Sequence, residues 1–222
     1  MRGINLPNLI TIARIGLAVV VAPLLFVDSF AARLAAFLIF LAAAVSDLWD
    51  GHLARTQGLV TDLGKLLDPI ADKLLVAATL LPFYLISHAP AADGSVPSPE
   101  GRFPWFGGVF PLWILLVIFG RELFITLFRG YAARRGVIIA AEKAGKYKAV
   151  FQNVFIGAGI LWYALRTLVR ARGWEDGAWA LWEGFHFGFA VVTLAIAVVL
   201  TVVSMVVYLW MYRSTVAASA VR

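Results

Sequence analysis

The chain has 222 residues, of which 62% are hydrophobic and 14% charged, and its mean hydropathy is +0.87. Soluble domains run about 45–50% apolar and about 25% charged, so the composition excludes an ordinary soluble globule; so apolar a chain is not disordered either. The formal net charge is +6 and there is no cysteine. Disulfides and Cys-ligated metals are thereby excluded, and the basic excess reads as a membrane-face bias, not as nucleic-acid binding. A spanning helix takes about 20 residues, which leaves no room for a separate soluble domain. The expectation is all-α: one polytopic transmembrane domain over 1–222.

Six apolar runs are predicted to span. The first, Leu9 to Val27, carries only Arg14 and ends without a small-residue cleavage site, so it is expected to be a retained helix. The second runs from Phe30 to Val45 and continues into a charged stretch from Asp47. The third, Leu66 to Ser87, has Asp68 and Asp72 in its first turns, with Asp68-Pro69 resembling an N-cap and first helical residue. The segment after it, from Ala89 to Gly101, is rich in Pro, Gly and Ser and reads as a plain linker. The fourth run, Val109 to Tyr131, is broken by Arg121 and Glu122. The fifth is Ala149 to Leu168, and the sixth is Phe185 to Met211, preceded by Trp174, Trp179 and Trp182 as interfacial or core aromatics.

Loop charge sets the expected orientation. The fourth loop gathers Arg129, Arg134, Arg135, Lys143, Lys146 and Lys148 against Glu142. The third loop sets Arg102 against Asp93 and Glu100, and the fifth sets Arg166, Arg170 and Arg172 against Glu175, Asp176 and Glu183. By the positive-inside bias, the second and fourth loops and both termini face the cytoplasm.

Four of the eight aspartates fall within 26 residues, at the expected cytoplasmic ends of the second and third helices. Asp47 and Asp50 are spaced i,i+3 and Asp68 and Asp72 i,i+4, so each pair shares a helix face. Carboxylates at membrane depth are costly and usually functional. Four together repel unless some are protonated or cations sit between them, and an all-oxygen set suits Mg²⁺ or Mn²⁺. Around them, Gly51 and Ala54 let a flat ligand approach the backbone, Arg55 suits a phosphate or pyrophosphate, and Gly64 lies four residues before Asp68. Asp62 and His52 read as loop and interfacial residues, and Lys65 and Lys73 as snorkelling side chains.

The pattern D-x2-D-G-x2-A-R-x8-G-x3-D-x3-D, filled by Asp47, Asp50, Gly51, Ala54, Arg55, Gly64, Asp68 and Asp72, resembles the signature of the CDP-alcohol phosphatidyltransferases. The resemblance extends over essentially the whole chain. It implies a six-helix multi-pass enzyme of the cytoplasmic (inner) membrane, working among membrane lipids and often as a homodimer. It implies transfer of a phosphatidyl group from CDP-diacylglycerol to an alcohol with release of CMP. Two divalent ions, Mg²⁺ or Mn²⁺, would be held by Asp47, Asp50 and Asp68, with Asp72 activating the acceptor hydroxyl and also able to touch a metal. Gly51, Ala54, Arg55 and Gly64 would bind the cytidine diphosphate.

Asp68-Pro-Ile-Ala-Asp-Lys73, Gly120-Arg-Glu-Leu-Phe-Ile-Thr-Leu-Phe-Arg129, Gly136 to Lys148 and the opening Leu6 to Arg14 are similar to the branch of that family that uses glycerol 3-phosphate. An Arg inside an apolar helix costs roughly 2.5–3.5 kcal/mol on insertion scales, so Arg121 needs an anionic partner: Glu122, another carboxylate or a substrate phosphate. Arg129, Lys146 and Lys148 add positive charge, which suits a phosphorylated acceptor. Inositol phosphate, or phosphatidylglycerol to give cardiolipin, is the alternative acceptor. From a different class, a divalent-cation transporter would explain the acids but not Gly51, Ala54, Arg55 and Gly64, and no internal repeat supports it.

Overall fold

A computed structural model describes residues 5–56, 61–91, 93–94, 96, 98, 101–104, 106–134, 143–174 and 177–218. Within the helices the side chains of residues 48, 50–56, 62, 65, 143–146, 208, 211 and 213–218 lie outside that description. The described chain is helical, without strands: α1 (Leu6–Phe26), α2 (Phe30–Thr56), α3 (Asp62–Ser87), α4 (Leu112–Arg134), α5 (Lys143–Arg172) and α6 (Gly177–Ala218). Five of them are long and apolar enough to cross a membrane. The other, α4, has 23 residues but carries Arg121, Glu122 and Arg129 in its interior. The fold is that of a polytopic membrane protein.

The chain forms two compact units, Met1–Phe110 with Ile156–Phe187, and Pro111–Phe155 with Gly188–Arg222. In the first unit α1 packs against both α2 and α3. Asn5 caps α1 through its side chain, with a proline in the first turn, and the chain reverses through Val27 to Ser29 into α2. At that reversal the buried Arg33 pairs with Asp28 at 2.8 Å, donates to Thr167 of α5 and lies 5.4 Å from the Tyr163 ring centre.

Two local expectations are corrected. The third helix starts six residues earlier than Asp68, at Asp62, with Thr61 as its N-cap; Asp68 and Pro69 therefore lie inside the helix. Pro69 has no N–H to give the carbonyl one turn back, so the helix forgoes one internal bond there. The third loop is more than a linker. Its tail folds into the unit: Phe103 and Phe110 are buried, Phe110 N–H donates to Ser87 Oγ at 2.9 Å, and the Tyr163 hydroxyl donates to Gly101 O at 3.1 Å. Of the three tryptophans, Trp179 stacks on Trp162 at 5.5 Å and Trp182 approaches His186 at 5.8 Å, whereas Trp174 is exposed.

Phe83, Phe103, Phe110 and Tyr163 form one aromatic cluster, with ring centres 4.9–6.0 Å apart in the closest pairs. α5 meets it through Gly159, where an added Cβ would stand 2.7 Å from Phe83 Cε2 and 2.8 Å from Cζ. Small residues let membrane helices approach closely, and Phe83 is boxed in by the other rings. Gly159→Ala should therefore lower the melting temperature in detergent, at a cost of about 1–3 kcal/mol for overpacking. Gly157→Ala should melt like the parent, since its Cβ meets Phe40 at an ordinary 3.6 Å. Equal melting of both variants would contradict the packing assigned to Gly159.

Candidate active site

The buried positions of α1 are Pro7, Asn8, Thr11, Arg14, Ala18, Val21 and Leu25. From Thr11 onward they step by three and four, which places them on one helix face. The stripe changes character along its length. Its second half is small and aliphatic, but Asn8, Thr11 and Arg14 are polar and 3%, 1% and 1% exposed. Buried polar groups need partners, and these three find them on α2 and α3.

Arg14 Nη1 donates to Asp47 Oδ1 of α2 and to Asp72 Oδ1 of α3 at 3.1 Å. Its side chain is 0% exposed, while those of Asp47 and Asp72 are 39% and 58% exposed. One nitrogen, with two hydrogens, thus serves two carboxylates on two helices. Thr11 shares its hydroxyl between Pro7 O at 3.1 Å and Asp68 Oδ1 at 3.0 Å. The Thr61 hydroxyl donates to Asn8 Oδ1 at 2.9 Å and accepts from Gly64 N–H at 3.0 Å. Gly64 lies at this junction, where a Cβ would come within 2.9 Å of Asn8 Oδ1.

Of the residues singled out in the sequence, Asp47, Asp68 and Asp72 all meet the polar half of α1. Asp50, Gly51, Ala54 and Arg55 continue α2 beyond Asp47, and their side chains lie outside the described ones. Among the described residues no group of three or more His, Cys, Asp or Glu is close enough to hold a metal. The donor chemistry nevertheless fits a hard divalent cation: the carboxylates are all-oxygen ligands, partly open to solvent, from neighbouring helices. Sequence reasoning passed over Asn8, Thr11 and Arg14 as site residues. The signal was present in the form of one Arg within a 21-residue apolar helix, in register with two polar residues at i−3 and i−6.

In the second unit, Arg121 Nη1 pairs with Glu122 Oε1 at 2.9 Å and its Nη2 donates to Ser204 Oγ of α6 at 3.1 Å. Lys148 of α5 is buried and pairs with the same Glu122 oxygen. Of the anionic partners open to Arg121, the chain itself thus supplies Glu122. The trio keeps one net positive charge, two cations against one carboxylate. Arg129, about two turns further along α4, is exposed. The side chain of Lys146 lies outside the described ones.

A polytopic helical protein with acids of this spacing on two helices belongs to a defined class. Residues 4–220 match the CDP-alcohol phosphatidyltransferase family, and the chain is a member of it. It is 34% identical to the CDP-diacylglycerol–glycerol-3-phosphate 3-phosphatidyltransferase of Bacillus subtilis over 212 residues, covering 90% of this chain and 91% of that one. It is 46% identical to the Rickettsia typhi protein of the same name over 157 residues, 71% of this chain and 76% of the other. Against the probable phosphatidylglycerophosphate synthase of Mycobacterium tuberculosis H37Rv it is 35% identical over 160 residues; the match covers 71% of this chain and 66%, just under two thirds, of that relative.

The shared Glu122 yields a test of the second cluster. Glu122→Gln leaves Arg121 and Lys148 facing each other without the carboxylate they share. The loss of stability should fall below the roughly 3–5 kcal/mol of a fully buried pair and above the ~1 kcal/mol of an exposed one. Adding Lys148→Met should recover part of the lost melting temperature, because one of the two cations is then gone. Additive losses in the double variant would show that the three side chains do not act as a unit.

Proposed function

We propose that the protein transfers the phosphatidyl group of CDP-diacylglycerol to sn-glycerol 3-phosphate, giving phosphatidylglycerol phosphate and CMP. The observation that carries the reading is the meeting of Asp47, Asp68 and Asp72 at the polar end of α1, in a chain whose relatives bear the name of that reaction over up to 91% of their length. A buried arginine bound to two of the carboxylates also makes a poor lining for a cation path, which disfavours a transporter.

In this reading Asp47, Asp50, Asp68 and Asp72 would hold two divalent ions, Mg²⁺ or Mn²⁺, which would supply neutralisation of the pyrophosphate and of the charge developing on departing CMP. Gly51, Ala54 and Gly64 give the cytidine diphosphate close access to backbone, and the Arg55 fork takes its phosphate oxygens. Asp72 takes the proton of the acceptor hydroxyl as that oxygen attacks the phosphorus bearing diacylglycerol. The bond from this phosphorus to the bridging oxygen breaks, and CMP leaves. Arg121, Arg129, Lys146 and Lys148 hold the phosphate of the acceptor.

The whole of 1–222 acts as one multi-pass domain of the cytoplasmic membrane. The site and both termini face the cytoplasm, a reading supported by the basic fourth loop, and two copies pair as a homodimer within the lipid.

The direct test is CMP release by the purified protein with Mg²⁺ and CDP-diacylglycerol. Release should require glycerol 3-phosphate and should not be supported by inositol phosphate or phosphatidylglycerol. Asp47→Ala and Asp68→Ala should both fall to background, and full activity in either at saturating Mg²⁺ would reject the assignment of the carboxylates.

Two further classes of variant should differ in kind. Arg121→Ala and Lys148→Ala should raise KM for glycerol 3-phosphate by roughly 10- to 150-fold, the equivalent of a charged hydrogen bond of about 1.5–3 kcal/mol. Asp72→Asn should lower kcat by about 10²–10⁴-fold, the usual contribution of a general base, with little change in KM. Normal acceptor kinetics in both cation variants would transfer the reading to a neutral or lipid acceptor.

A further inference from the structure

The family signature begins at Asp47, and Arg14 lies outside it, yet Arg14 is the side chain on which two of its aspartates meet. We propose that Arg14 is the positioning residue of the carboxylate site: it ties Asp47 of α2 to Asp72 of α3 and thereby sets the affinity of the site for a divalent cation. The proposal rests on the reading of these aspartates as cation ligands.

Three observations carry it. The Arg14 side chain is 0% exposed, so its charge has to be met by protein partners. It lies on the helix that packs against both α2 and α3, so its head is fixed relative to both carboxylates. It binds the Oδ1 atom of each, and the two carboxylates stay partly open, at 39% and 58% exposure. Without this clamp, two like charges on separate helices would turn apart toward water. A cation arriving there would have to gather its ligands itself.

Arg14 also opposes a cation by plain charge repulsion, so the sign of its effect decides between two roles. As a positioning group it raises affinity, as partners of ligating carboxylates do, and its loss weakens binding by about 10- to 100-fold. As a competitor for the same oxygens it lowers affinity, and its loss tightens binding.

The measurement is Mn²⁺ binding to the full-length protein in detergent, followed by the resonance signal of free Mn²⁺ without any substrate. Arg14→Met should bind Mn²⁺ about 10- to 100-fold more weakly than the parent. Arg14→Lys, which keeps a charge but not the fork, should fall between them. Melting and size-exclusion profiles establish that each variant is folded; if Arg14→Met does not fold, Arg14→Lys alone carries the test by its weakened binding. Unchanged or tighter binding in the folded variants would overturn the role given to Arg14 and leave the aspartates as ligands. A parent protein that binds no Mn²⁺ would overturn the cation reading of the aspartates, and this proposal with it.

Discussion

Negative charge gathered at the end of an apolar helix bundle has to be met by positive charge of fixed position. Among the described residues Arg14 supplies such a charge, reaching carboxylates on two different helices. That requirement explains several otherwise separate features. α1 has to pack against α2 and α3 together. Its buried stripe has to be polar over its first half and apolar over its second. Thr11 and Asn8 then extend the same face to Asp68 and to the N-cap of α3. Gly64 is small where Asn8 comes close.

The aspartates were legible in the sequence because their gaps are short and regular: i,i+3 and i,i+4 are helix spacings, and four acids this close together in an apolar chain are rarely incidental. The six helices were legible for the same reason, since long apolar runs leave little choice, and five of them are apolar enough to span. Arg14 was visible as a residue but not as a partner. Its contacts are 33 and 58 residues away in sequence, and a helix face says nothing of what lies across from it. The span Leu66–Ser87 was read correctly, but the cap was not: Asp68-Pro69 imitates a helix beginning, while the true cap, Thr61, precedes a stretch of ordinary polarity. The third loop misled through its composition. Its Pro, Gly and Ser residues come first, and the aromatic residues that bury it, Phe103 and Phe110, come after.

The second unit solves a similar problem with the signs reversed. Arg121 and Lys148 converge on one carboxylate, and Ser204 supplies a neutral acceptor. Full neutralisation would leave such a cluster inert toward anions, whereas a larger excess of cations would be hard to keep in an apolar bundle. Within this trio two cations face one carboxylate.

The dependence of Arg14 on two later helices also bears on how the chain is made. While only α1 has left the ribosome, its arginine sits in an apolar segment with no carboxylate to meet, at a cost of roughly 2.5–3.5 kcal/mol on insertion scales. Asp47 arrives in the second half of α2, and Asp72 only after α3 has begun. The first helix therefore gains its full stability in the bilayer when the third is in place, so that assembly of the acidic centre and secure insertion of the amino-terminal hairpin become one event during biogenesis.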